Sequence, residues 1–416
     1  MTTADQLFIE ILQAGIRGSR LPEKLPMPDE LQAWEALFVL AEEQELLPLA
    51  VDVIYRSSAW KNIDKELLGK YKEHVLKESI RRIVQTKEFL TLILHAQACG
   101  LDPVVIKGIT VGELYPKPYL RLSVDDDLFI DSEDTERFHK FFVLEGLFSD
   151  DPDADLASVS ELSYHKENSP LYIELHKTLF PADSEAYGDL NALFEGALTR
   201  TQTIQIEDVT LRVLAPTDHI LYLLCHAYKH FLHSGVGIRH ISDMALFINA
   251  YDEEIDWNHI YQACSSVSIE TFAAAVFKIA HKYLTLKSVP ASFARIDIDE
   301  EPLLEDVLTG GLYGTADIDR AHSVNITLAA AAADKEAGTR THFTRRGLLK
   351  SLFPGVHYLQ NMFPYAKEHP VLTPVAWAHR IVNYLKRRGR KPANPVKSIQ
   401  IGRSRVELMK KYKIIK

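Results

Sequence analysis

The sequence predicts a mixed α+β (or α/β) protein: a small mixed sheet packed with helices, flanked by N- and C-terminal helical regions. Three observations carry this expectation. Apolar residues recur at helical spacing through the first hundred residues, short β-branched runs replace them over 101–215, and helical spacing returns after Pro216. The 416 residues allow about two or three folding units. The pattern divides them into an N-terminal helical region (1–100), an α/β core (101–215), a C-terminal helical region (216–385) and a basic tail (386–416).

In chain order, Leu31, Trp34, Leu37 and Leu40 mark a first amphipathic helix before Pro48, and Leu76, Ile80, Ile83, Leu90 and Leu94 mark a long one that stops at Gly100. Both are expected to pack through those residues. Pro103–Ile106 is short, apolar and β-branched, as a buried strand should be, and Lys107-Gly108 follows it directly. Residues 109–115 suit a short helix, Leu120–Ile130 a second extended stretch and Leu171–His176 a third strand after an acidic loop around 150–155. Thr203–Ile206 and Thr210–Leu214 suit a hairpin. Asp218 is placed to cap the next helix, residues 309–342 read as a loop, and Leu348–Leu352 with Pro374–Leu385 form a last helical group.

Composition narrows the function. The chain is 46% hydrophobic and 25% charged, that of an ordinary globular protein. Neither a signal peptide nor an unbroken apolar run of about 18 residues is visible, so a cytoplasmic protein without a membrane span is expected. Three scattered cysteines do not make a disulfide framework. The net charge of −10 hides an asymmetry: residues 386–416 carry twelve basic side chains against one acid, which leaves the preceding residues at −21. Such a tail can dock on a protein, on nucleic acid, on an anionic surface or on the acidic body itself. Tyr412 is its only aromatic residue, which argues against base-stacking recognition.

The chemistry concentrates in Arg121-Leu-Ser-Val-Asp125-Asp126-Asp127-Leu-Phe-Ile130. In a strand, Asp125 and Asp127 share a face and Asp126 points the other way. Two carboxylates about 7 Å apart can bridge hard divalent cations. Glu174 is an acid within another apolar strand, unexpected there unless it is a ligand or is paired. Together the three suit two Mg²⁺ ions, with Mn²⁺ as a substitute. Gly108 at a strand-to-helix turn lets backbone N–H groups approach a phosphate. Arg121 and Lys107 are within reach of a triphosphate, or of an aspartate as an ion pair.

These residues resemble a known family. Ile106-Lys107-Gly108, then Glu113-Leu-Tyr115-Pro116, Pro118, Arg121 and Asp125-x-Asp127-Leu-Phe-Ile, are similar to the signature of the uncharacterised nucleotidyltransferase family, a bacterial branch of the DNA polymerase β-like minimal nucleotidyltransferases. Ile173-Glu174-Leu175-His176 and Asp218…His226…His230…Asp243 extend the likeness. It reaches more loosely into the N-terminal helices and Leu348–Arg380. The resemblance implies a nucleotidyltransferase core in which Asp125 and Asp127 hold both metals and Glu174 holds the catalytic one. It further implies that Lys107, Gly108 and Arg121 bind nucleotide, and that an NTP, ATP first, donates NMP to an acceptor hydroxyl on a small molecule, sugar or protein, with loss of pyrophosphate. The wider superfamily has Gly-Ser at the phosphate turn where this chain has Lys107-Gly108, and an apolar residue where it has Asp126.

Other residues were weighed beside these. His176 flanks Glu174 and falls at the rim of the site; His165 is a weaker candidate. His226 and His230, four apart on a helix, have metal-ligand spacing, yet no third ligand is evident from sequence. Arg239 and Asp243 suit an i,i+4 ion pair. Gly310-Gly311-x-x-Gly314 lacks the strand-turn-helix context of a dinucleotide site. Two other functions compete. Asp-x-Asp also reads as the metal site of a nucleotide-sugar glycosyltransferase, but a helical first hundred residues leaves no room for the preceding nucleotide-binding half. A non-catalytic nucleotide-binding or antitoxin-like module is the third, against which stand the three retained carboxylates.

Overall fold

A computed structural model describes residues 2–23, 25, 28, 30–182, 184–233, 235–312, 318–337, 373, 375 and 395–416. Three helices come first: α1 (Thr3–Ile16), α2 (Leu31–Glu43) and α3 (Leu47–Arg56). The 34-residue α4 (Lys65–Ala98) follows, started by Asp64, whose carboxylate accepts the N–H groups of Glu66 and Leu67 at 2.9 and 3.0 Å. Then come β1 (Val104–Ile106), the single turn α5 (Ile109–Gly112), β2 (Asp126–Phe129), α6 (Thr135–Leu144), β3 (Leu147–Ser149), β4 (Glu161–Lys166), β5 (Tyr172–His176), β6 (Thr201–Ile206) and β7 (Val209–Leu214). The helices α7 (Pro216–His233), α8 (Ile238–Tyr251), α9 (Trp257–Ser266), α10 (Glu270–Tyr283), α11 (Ala291–Ala294), α12 (Glu301–Gly310), α13 (Ile318–Ala337) and α14 (Pro395–Lys411) complete the described chain.

The strands form one mixed sheet in the order β3-β4-β5-β2-β1-β7-β6. β1 pairs parallel with β7 and antiparallel with β2, and β2 pairs parallel with β5. Period-2 alternation divides its residues between two cores. Val105, Leu128, Leu175 and Val213 pack with Phe89, Leu90 and Ile93 of α4 and with Phe138 and Phe142 of α6. Val104, Ile106 and Phe129 face the larger core built by α1–α3 and α7–α12. Each such fully buried side chain contributes about 1.5–3 kcal/mol, so the sheet is held from both sides.

Several expectations need correction. α6, β3 and β4 lie on either side of the acidic loop at 150–155, in stretches to which the sequence assigns no element; in β4, Leu162 and Tyr164 alternate inward, while Glu161, Ser163 and His165 dilute the apolar signal. Of the stripe expected on α4 only Leu90 faces inward: Leu76, Ile80, Ile83 and Leu94 are exposed, Leu76 by 58%. The buried side of α4 instead carries Leu68, Tyr71, Arg82, Gln85, Phe89, Leu92 and Ile93. Asp218 lies inside the first turn of α7 rather than capping it, and Arg200 grips it with two bonds of 2.8 and 3.0 Å. Within 309–342, residues Ile318–Ala337 form α13, not a loop. Its alanine-rich sequence favours helix, and Gly402 of α14 lets it approach so closely that a Cβ there would fall 2.7 Å from Ile326.

The last helical group, Leu348–Leu352 and Pro374–Leu385, lies outside the described residues apart from residue 375, as does the basic cluster Lys386–Lys391. The rest of the tail folds onto the body. Arg405 of α14 is buried, donates to the carbonyls of Phe231 and His233, and lies 4.0 Å from Asp306. Val406, Met409, Tyr412, Ile414 and Ile415 join the main core. No helix among the described residues is long and apolar enough to cross a membrane.

Candidate functional site

β1 ends at the buried Ile106, and the chain then reverses through Lys107 (φ 44°) and Gly108 (φ 54°, ψ −112°). Only glycine tolerates the second conformation well, and a Cβ at Gly108 would lie 3.3 Å from Asp126 Oδ1 and 3.5 Å from the carbonyl of Asp125. Lys107 holds a left-handed conformation uncommon outside glycine. Thr110 Oγ1 donates to its carbonyl at 2.9 Å. α5 is one turn long, so anion attraction at this point comes from local N–H groups rather than a helix dipole.

The antiparallel pairing of β1 with β2 sets Ile106 opposite Asp127, and the parallel pairing of β2 with β5 sets Asp127 beside Glu174. Two carboxylates are therefore adjacent on one sheet face, near the Lys107-Gly108 turn. Asp125 immediately precedes the strand. Lys107 Nζ lies 3.0 Å from Asp127 Oδ1 and 3.4 Å from Asp125 Oδ2, tying the two together. His176 Nε2 lies 3.0 Å from Asp127 Oδ1 and 3.6 Å from Glu174 Oε2, while its Nδ1 lies 3.4 Å from Glu161. Asp127, Glu174 and His176 each bring a ligand atom within 4.8 Å of the others.

Burial dominates the electrostatics. Asp127 is fully buried; loss of solvent pushes its carboxyl up to about 6, against the pull of Lys107 and His176. Burial alone would push His176 down, but its bonds to Asp127 and Glu174 raise it to about 9. Burial also pushes Glu174 upward, and there His176 and Lys107 win, leaving its carboxyl below the usual range. Near neutrality both acids are ionised and His176 is protonated. Asp127 Oδ2 is buried with no hydrogen-bond partner among the described residues, the kind of oxygen a cation satisfies. The hard oxygen set of Asp125, Asp127 and Glu174 fits a divalent cation such as Mg²⁺, and the nitrogen of His176 also suits Mn²⁺.

Asp126, as alternation requires, faces the other way. Gln85 donates to its Oδ2 at 3.0 Å, and Arg82 Nη1 lies 3.5 Å from Oδ1, both from α4. Arg121 is not beside the carboxylates: it forms bonds of 2.7 and 3.3 Å to Asp243, which also accepts from Tyr115 at 2.8 Å. Residues 118–120 make a 3₁₀ turn and 121–125 are irregular, so strand alternation does not carry Arg121 to the face of Asp125. Arg239 reaches Glu45 and, at 2.8 Å, the carbonyl of Leu122. His165 pairs with Asp150 at 2.6 Å on the exposed side of β4.

Two groups escaped the sequence reading. Lys229 of α7 feels the charges of Glu161, Glu174 and Asp127, and burial holds its ammonium below the ordinary range. His240, in the first turn of α8, meets His226 and His230, and Lys107 Nζ lies 3.5 Å from His226 Nε2. Lys229 was recoverable as the residue between His226 and His230 on the same helix; His240 lies beyond a turn, where no spacing rule reaches.

No curated protein matches this chain in sequence. A family profile, described as uncharacterised nucleotidyltransferase, matches residues 30–285. The span runs from the start of α2 past α10 and includes the turn, all three carboxylates, the histidines and the seven-stranded sheet; Leu348–Arg380 lies beyond it. By that match over more than half its length, together with a mixed sheet between helical flanks, the chain belongs to the uncharacterised nucleotidyltransferase family.

Proposed function

We propose that the protein transfers an NMP group from an NTP, ATP first, to a hydroxyl of a small molecule, sugar or protein and releases pyrophosphate, with Asp125, Asp127 and Glu174 as its catalytic carboxylates. The observation that carries this reading is the register that sets Asp127 beside Glu174 near the Lys107-Gly108 turn. Mg²⁺ held by the three carboxylates would supply charge neutralisation at the phosphates and a lowered pKa for the attacking hydroxyl.

The chain's own groups do the rest. Glu174, ionised and less buried than Asp127, is the carboxylate placed to take the proton of the acceptor hydroxyl. Lys229, and Lys107 once a metal takes its place between Asp125 and Asp127, would offer ammonium groups to the triphosphate, while Arg121 is turned toward Asp243, away from the carboxylates. Gly108 keeps the turn free of a side chain, so phosphate can meet its backbone. His176, buried between Asp127 and Glu174 and not at the rim that the sequence suggests, orients both. The helices on either side of the core would form the acceptor cleft.

The test is pyrophosphate release from each of the four NTPs with Mg²⁺ or Mn²⁺, with fractionated cell extract as acceptor source. Release that is lost in Asp127→Asn supports the reading. NTP binding with no turnover in any fraction would replace it with a non-catalytic nucleotide-binding module.

A further inference from the structure

We propose that His226, His230 and His240 form a second metal centre, a three-imidazole site for zinc or a similar first-row divalent ion, separate from the carboxylates, with Lys107 and Lys229 lying between the two. The proposal does not depend on nucleotidyl transfer.

His226 and His230 are one turn apart on α7, the i,i+4 spacing that points two imidazoles the same way. His240 enters from the first turn of α8. One ligand nitrogen from each lies within 4.8 Å of the other two. The Nε2 atoms of His226 and His230 are 3.2 Å apart. Two nitrogens each bonded at about 2.0–2.1 Å to one tetrahedral zinc are separated by about 3.3 Å, so this pair already has the required edge length. The rings cluster from several directions, with centroids 4.4, 5.5 and 5.9 Å apart, so an ion could sit among them. All three histidines are kept neutral, first by burial and then by the cations around them, as metal ligation requires.

Neighbouring groups set the conditions. Lys107 Nζ, 3.5 Å from His226 Nε2, repels a cation bound there, and Asp125 and Asp127 draw the ammonium the other way. The N–H of Gly237 donates to His240 Nδ1 at 3.3 Å. With that bond in place the proton resides on Nε2, so capture of a metal through Nε2 gives up the bond. Three neutral ligands leave a fourth position for water or a phosphate oxygen, the composition of open zinc sites.

The experiment uses the full chain without an affinity tag. Metal content is measured by plasma mass spectrometry, and Co²⁺ is titrated into metal-free protein while its visible absorption is followed. The expected result is about one zinc-like ion per chain and an intense tetrahedral Co²⁺ band. Both should persist in Glu174→Gln, and His230→Gln should weaken Co²⁺ affinity at least about tenfold. If His230→Gln does not fold, X-ray absorption of the wild-type Co²⁺ complex decides, with scattering from about three imidazoles and one oxygen expected. A wild-type chain with no first-row metal and no tetrahedral band would overturn the proposal. So would metal lost in Glu174→Gln and kept in His230→Gln, or scattering dominated by carboxylate oxygen.

Discussion

Asp126 and Asp127 are neighbours in one strand, both buried, yet they occupy opposite worlds. Asp126 is enclosed by Arg82 and Gln85 of the long helix α4 and belongs to the framework. Asp127 meets Lys107, His176 and, across the register, Glu174, and keeps one buried oxygen without a partner. A buried carboxylate with cationic neighbours is therefore not a functional signal by itself. Each keeps one buried oxygen without a hydrogen bond, Oδ1 in Asp126 and Oδ2 in Asp127, so what separates the two is their company: Asp126 has the cation and amide of a framework helix to itself, whereas Asp127 lies beside a second acid and shares His176 with it.

Substitution of each aspartate gives the sharpest way to break this comparison. Asp127→Asn should lower pyrophosphate release by about 10³-fold, roughly 4 kcal/mol of barrier, with circular dichroism unchanged. Asp126→Asn should instead leave Arg82 buried without its counter-charge, costing about 3 kcal/mol of unfolding free energy in urea titrations with turnover per folded molecule within about threefold. Equal loss of activity in the two variants would abolish the distinction.

Acid should expose a further framework group on α7. Burial holds His219 at about 4 in the folded state, against about 6.5 when unfolded. Below 6.5 the unfolded chain binds a proton that the folded chain refuses, so stability is full above that pH and declines as pH falls toward 4. The share due to this residue is about 3 kcal/mol, and His219→Leu should flatten the pH dependence of unfolding by that amount. The smallest effect is expected where the two faces touch: Gly108→Ala strains a positive φ and crowds Asp126 Oδ1, costing about 1–2 kcal/mol of stability. A thermal shift no different from that of a surface Gly→Ala would remove Gly108 from the link.

The sequence made much of the core legible because period-2 signals are local. Val104–Ile106, Tyr172–His176 and the β6–β7 hairpin are short apolar or alternating runs, and alternation alone separated Asp126 from Asp127. What it concealed depended on distance. Gln85 and Asp126, or Lys107 and His226, meet only after the sheet and its two helix layers assemble. The spacing that suggested an inward stripe on α4 is equally satisfied by an outward one, since period fixes a face but not its direction. Of the two roles open to Arg121, the ion pair with an aspartate is the one formed, with Asp243 and away from Asp125, because the strand starts at Asp126 rather than Leu120. α13 was missed because alanine runs carry helix propensity without a polar-apolar contrast.

The seating of α14 carries a consequence for how the molecule is made. Tyr412, just beyond it, shares a core with Phe8, and Arg405 within it holds the last carbonyls of the helix that bears His226 and His230. Contacts between such distant parts of a chain close slowly, because loop entropy must be overcome first. A polypeptide ending before residue 395 would lack the Arg405 bonds to Phe231 and His233 and the Val406, Met409 and Tyr412 side chains of that core, so the stability of helices far earlier in the chain depends on its last residues.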